Sequence, residues 1–90
     1  MSATFRIRNY MEDVVSATTD IILKQMDVCK CEKCRADIIA IALNNLPPKY
    51  VVTEMGQLYA KVKELEQQFA VDVQSAVVKA ALIVKDNPKH

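Results

Sequence analysis

Gly56 is the only glycine in ninety residues, and that scarcity limits the folds open to the chain. Tight β-turns depend on glycine for left-handed backbone, so a sheet built from short hairpins would lack its turn residue. Trp is absent and the aromatics are Phe5, Phe69, Tyr10, Tyr50 and Tyr59, although 51% of the residues are apolar. A core must therefore be assembled from Val, Ile, Leu, Ala and Met, the palette of packed helices. The expected class is all-α: one domain over residues 1–90 with three to four helices, a short arm over 1–8 and a tail over 87–90. A chain this short buries a modest fraction of its surface. A dimer interface or a bound metal would add to its stability.

The helices can be placed from periodicity and capping residues. Asn9 is a good N-cap, and Glu12 stands three residues on, where a capping-box partner belongs. Met11, Val14, Val15, Thr18, Ile21, Ile22, Gln25 and Met26 then keep to one helical face, predicting a first helix from Tyr10 to Met26. Glu12, Asp13, Ser16, Thr19, Asp20 and Lys24 fall on the opposite face. Phe5 and Ile7 form an apolar arm expected to pack on the body or on a second copy. A second helix, Glu32 to Leu46, carries Ile38, Ile39, Ile41, Ala42, Leu43 and Leu46, enough apolar faces for a central position. Pro47-Pro48 ends it and predicts extended backbone through Val52. Thr53 is placed to cap the next helix. From Thr53 to Asp86 the apolar seam Leu58, Val62, Leu65, Phe69, Val73, Ala76, Val77, Ala80 and Val84 predicts one long helix, or two with a break near Gln67–Ala70. A single helix of that length would span about 50 Å at about 1.5 Å per residue, which one copy could hardly cover and which would favour a dimer. Pro88 leaves His90 on the tail.

All three cysteines, Cys29, Cys31 and Cys34, lie within one short segment, C-x-C-x-x-C. Thiols so closely bunched suit a soft cation, and Zn2+ is the cofactor they predict. Three thiols cannot pair off among themselves, and a Cys29–Cys31 bridge would close a strained ring. A reduced, inert trio at a helix start is the alternative, and redox sensing is a third reading. Residues two apart point to different sides of a helix. Cys29 and Cys31 must therefore sit on a loop, with Cys34 offered from the beginning of the second helix. Zinc wants four ligands. His90, the one histidine, is the leading candidate for the fourth, with Asp27, Glu32, Asp37, water or a partner-chain ligand as competitors. The expected role is structural, tying the first helix to the second.

Net charge is +1 with both signs interspersed, unlike the basic stripe of a duplex-DNA binder. No apolar run is long enough to span a bilayer, and the N-terminus lacks a secretory signal. A cytoplasmic protein with reduced thiols is expected. There is no paired nucleophile and base, no Gly-rich phosphate loop and no H-E-x-x-H, so no enzyme is expected.

The stretch Cys31-Glu32-Lys33-Cys34-Arg35-Ala36-Asp37-Ile38, followed by Ala42-Leu43-Asn44-x-Leu46-Pro47-Pro48-x-Tyr50, resembles the ComFB family of late-competence development proteins. The likeness extends from Asn9 to His90. It implies an α-helical, homodimeric, non-enzymatic bacterial regulator linked to competence, with metal at the cysteines and, for some members, reception of a cyclic dinucleotide such as cyclic di-GMP. Such a ligand needs cations for its phosphates and stacking or forked groups for its bases. Arg6, Arg8, Arg35 and Lys49, with Asp37, Asn44, Asn45 and Tyr50, are the residues able to supply them. A two-fold ligand also suits the axis of a homodimer. The alternative is a zinc-stabilised helical dimer that docks a downstream protein partner and takes no small ligand.

Overall fold

Asn9 ends one element and starts the next. The computed structural model describes residues 5–54 and 67–86. In it, strand β1 (Phe5–Asn9) runs directly into helix α1 (Tyr10–Leu23), with Asn9 as the N-cap. The Asn9 side chain accepts a hydrogen bond from Met11 N at 3.1 Å, as a capping residue should. Helix α2 covers Glu32–Asn44, strand β2 covers Tyr50–Glu54 and helix α3 covers Ala70–Asp86. The expected helical domain, with its Cys-rich elbow between the first two helices, is what forms.

Three boundaries differ from expectation. Helix α1 stops at Leu23 rather than Met26 because its last turn tightens, Gln25 N donating to Ile22 O at 2.9 Å. Helix α2 stops at Asn44 rather than Leu46. Asn45 caps it by donating from Nδ2 to Ile41 O at 2.9 Å, and Pro47 keeps Leu46 out of the helix. Thr53 does not cap a helix, because strand β2 continues through it to Glu54. The segment 55–66, which carries Leu58, Val62 and Leu65, lies outside the described residues. Phe69 is a turn residue ahead of α3, where a break was anticipated.

The arm and the post-proline segment pair with each other. Strands β1 and β2 form an antiparallel ribbon in which Ile7 faces Val52, Arg8 faces Val51 and Asn9 faces Tyr50. Phe5 and Ile7 therefore lie on a paired strand, where an apolar arm packed on the body or on a second copy was expected. Side chains alternate along a strand, so Ile7, Val52 and Tyr50 share one face, and all three are exposed.

Among the described residues, the core lies between α1, α2 and α3. Helix α2 packs on α3, and α1 lies against both. Cys34, Ile38 and Ala42, one helical turn apart, form the buried line of α2. They meet Val73, Val77, Ala80, Ala81 and Val84 of α3 and Met11, Val14, Val15, Ile22 and Leu23 of α1. Small residues on α2 and α3 let those backbones approach closely. On α1 the buried face is rotated from the one expected: Thr19 is 0% exposed, whereas Ile21 is 58% exposed. The neighbours on α2 and α3 decide which flank of the apolar stripe is covered. Among the described residues, no helix is long and apolar enough to cross a membrane.

Candidate metal centre

The elbow between α1 and α2 delivers the three thiols to one point. Cys29 sits on irregular backbone, Cys31 is the N-cap of α2 with extended geometry (φ −68°, ψ 164°), and Cys34 lies in the first turn of that helix. This loop-then-helix placement is the one the C-x-C-x-x-C spacing demands. All three Sγ atoms lie within 4.8 Å of one another. Sulfurs bound to one tetrahedral zinc at about 2.3 Å would stand about 3.8 Å apart. The cluster thus needs only a small contraction to close on an ion.

Backbone amides support the first sulfur. Cys34 N donates to Cys31 Sγ at 3.4 Å, and Arg35 N donates to Cys31 O at 2.9 Å. The Cys34 amide, with help from the Cys29 thiol, holds the Cys31 thiol below the usual thiol range. An N-terminal helix dipole favours an anion at the same place. Cys34 behaves oppositely. Burial first, and then the neighbouring Cys29 and Cys31 thiols, push it up to about 12. Its side chain belongs to the hydrophobic core, at 0% exposure. A cation entering the cluster would displace the Cys34 proton and neutralise the charge that burial opposes. The donor set therefore fits a soft metal, with Cys29, Cys31 and Cys34 as its ligands.

Among the described residues, no carboxylate joins the thiol cluster. Asp27, Glu32 and Asp37, considered as competitors for the fourth position, lie apart from it. Asp37 instead accepts from Lys33 Nζ at 2.8 Å on each oxygen. His90 lies outside the described residues.

The side chains proposed for nucleotide binding fall into separate groups. Arg35 reaches across to α1 and forks onto Asp20, with Nε–Oδ1 at 2.7 Å and Nη2–Oδ2 at 3.1 Å. That pair bridges the two helices beside the cysteines. Asp20 gives no sequence signal as its partner, because the residues are 15 apart. Asn44 and Asn45 stand at the other end of α2, about 15 Å from Arg35 at about 1.5 Å of rise per residue. Arg8 pairs with Asp13 at 2.9 Å. Lys49 Nζ lies 5.0 Å from the centroid of the Phe69 ring, within cation–π range. Tyr50 is 68% exposed on the ribbon face opposite to that of Arg8. The Arg6 side chain is outside the described residues. Within one chain these groups do not converge on a single pocket.

Comparison with known proteins places this arrangement. The family model for late competence development protein ComFB matches residues 8–88. The chain belongs to the ComFB family. The competence protein ComFB of Bacillus subtilis (strain 168) is 26% identical over 81 residues, covering 89% of this chain and 83% of the relative. A solved structure of the late competence protein ComFB from Bacillus subtilis superimposes with a TM-score of 0.77 at 26% identity, covering 93% of each chain. The family match runs through the elbow and helices α1, α2 and α3, so the likeness is not confined to one motif.

Proposed function

We propose that this ComFB-family chain is a non-enzymatic regulatory protein in which zinc, held by Cys29, Cys31 and Cys34, clasps the α1–α2 elbow. The observation that carries the metal reading is the meeting of three thiols within 4.8 Å at the joint of two helices. The ion would supply folding energy to a short chain with a thin stability margin. His90 completes the ligand set in this reading. The residues of the elbow orient the sulfurs: Cys34 anchors the site in the core, and the Cys34 amide fixes Cys31. Metal analysis of the untagged protein beside Cys31→Ser tests the site. A metal-free wild type as stable as one supplied with zinc would overturn it.

The signal we propose is a cyclic dinucleotide, cyclic di-GMP, bound at the two-fold axis of a homodimer. Its support is the family together with the placement of candidate groups. Tyr50 offers an exposed ring, and Lys49 adjoins it. Because the groups of one chain lie far apart, a second copy is needed to complete a set, as a two-fold ligand would require. Calorimetric titration with cyclic di-GMP and cyclic di-AMP decides the matter: absence of heat and of thermal shift with both removes the receptor reading.

The second reading is a zinc-stabilised module that docks a protein. It is favoured by two adjoining clefts of about 300 Å³ and 390 Å³ between α1 and α3, which share Ile21, Ile22 and Gln74. Exposed Val78 extends this apolar strip. Retention of partner binding by a chain that ignores both dinucleotides would favour this alternative.

A further inference from the structure

The thiols of the elbow differ in access, and the difference assigns them different chemistry. Cys29 and Cys31 are exposed while Cys34 is buried. Cys31 stands at the N-cap of α2, open to a small oxidant, with the Cys34 amide donating to its sulfur at 3.4 Å. Cys34 is one helical turn away, its Sγ within 4.8 Å of the Cys31 Sγ, and shielded from solvent. A Cys29–Cys31 bridge would span a single intervening residue and carry strain, whereas Cys31 and Cys34 are spaced for a relaxed bridge across one turn.

We propose that Cys31 is a peroxide-sensitive modification site and Cys34 its resolving thiol, making the elbow a redox-released clasp. The Cys31 sulfur attacks one oxygen of hydrogen peroxide. The O–O bond breaks, and Cys31 becomes a sulfenic acid as hydroxide leaves and takes up a proton to form water. The Cys34 sulfur then attacks the Cys31 sulfur. The S–O bond breaks, the S–S bond forms, and a second water departs with the Cys34 proton. Two thiols and one peroxide give one disulfide and two waters, the sulfurs losing the two electrons that the peroxide gains. Cys29 remains a free thiol. A metal held by all three sulfurs loses two ligands and is released, which frees the connection between α1 and α2. The disulfide chemistry stands on the thiols alone; only the ion release rests on the proposed metal site.

Trypsin cleaves after Lys30, Lys33 and Arg35, so each thiol falls on its own peptide. The full chain, freshly reduced, is treated with hydrogen peroxide, alkylated, digested and read by mass spectrometry. The expected product links the peptide of Cys31 to that of Cys34, with Cys29 alkylated. Cys31→Ser, which keeps a good N-cap, should slow thiol loss by about tenfold. A first bridge through Cys29, undiminished oxidation of Cys31→Ser, or thiols that survive the peroxide would each overturn the proposal. A zinc-responsive dye in the same reaction should report one ion per disulfide. A chain that carries no metal leaves the peptide readout intact, so failure of the metal site and failure of the redox site are told apart.

Discussion

Asn9 holds Lys49 across 40 positions of sequence, its Oδ1 accepting the Lys49 backbone N–H at 2.9 Å. The same oxygen accepts from Met11 N, and Tyr10 N donates back to Lys49 O at 2.9 Å. One side chain thus caps α1 and latches the post-proline segment to it, at the point where the ribbon meets the helices.

Replacing Asn9 with Ala should therefore cost more than an ordinary cap, roughly 2 kcal/mol where typical caps are worth about 1. Asn9→Asp keeps an acceptor for both amides and should lose less. Urea denaturation of the two variants checks the order. Equal losses would mean that the side-chain oxygen has no special role.

The Asp20–Arg35 fork should give a small, pH-dependent contribution. Its hydrogen bond to Arg35 holds the Asp20 carboxyl below the usual carboxylate range. A carboxylate with a lowered folded pKa stabilises the fold above the unfolded pKa, and that contribution disappears as pH falls through the folded value. The pair is largely solvent-exposed, so solvent screening limits it to about 0.2–1 kcal/mol. Wild type should exceed Asp20→Asn by that margin at pH 6, and the gap should close in acid as the pH falls through the lowered folded value. A gap that persists in acid would contradict the assignment.

Core positions should respond according to what they bury. Ile38 is fully buried on α2, so Ile38→Ala should cost about 2–5 kcal/mol. Thr19 is equally buried, and its Oγ1 finds no hydrogen-bond partner among the described residues. Thr19→Val removes a lone hydroxyl at nearly constant shape and should be neutral or stabilising. Thermal denaturation of both variants separates the two effects.

Metal affinity should rise with pH. Because burial pushes Cys34 up to about 12, it is protonated near neutrality, and a metal must displace that proton. Each displaced proton makes affinity increase by about tenfold per pH unit. Competition with a chromogenic chelator at pH 6.5 and 7.5 measures the slope. A flat response would point to ligands other than thiols. Chelator treatment should also lower the melting temperature of the wild type and leave that of Cys31→Ser little changed.

Much of the site was legible because its signals are local. Cys29 and Cys31 could be placed on a loop and Cys34 at the beginning of the second helix because C-x-C spacing cannot converge from regular helix. Asn9 was readable as a cap for the same reason. Asp20 was not readable as the partner of Arg35, and the division of Arg35, Asn45, Lys49 and Tyr50 between distant places was equally hidden. Helical periodicity describes one element at a time and does not say which elements meet.

The helical class, the elbow and the convergence of Cys29, Cys31 and Cys34 were determined by the sequence itself, through glycine scarcity, three-and-four periodicity and cap residues that act over a single turn. Tertiary structure alone decided that Ile7 pairs with Val52, that Thr53 extends a strand instead of starting a helix, and that Thr19 rather than Ile21 faces the core. The physical reason is range. Capping and periodicity are settled among neighbours a few residues apart, whereas strand pairing and the choice of a buried face depend on where the chain returns after forty residues, at the latch between Asn9 and Lys49.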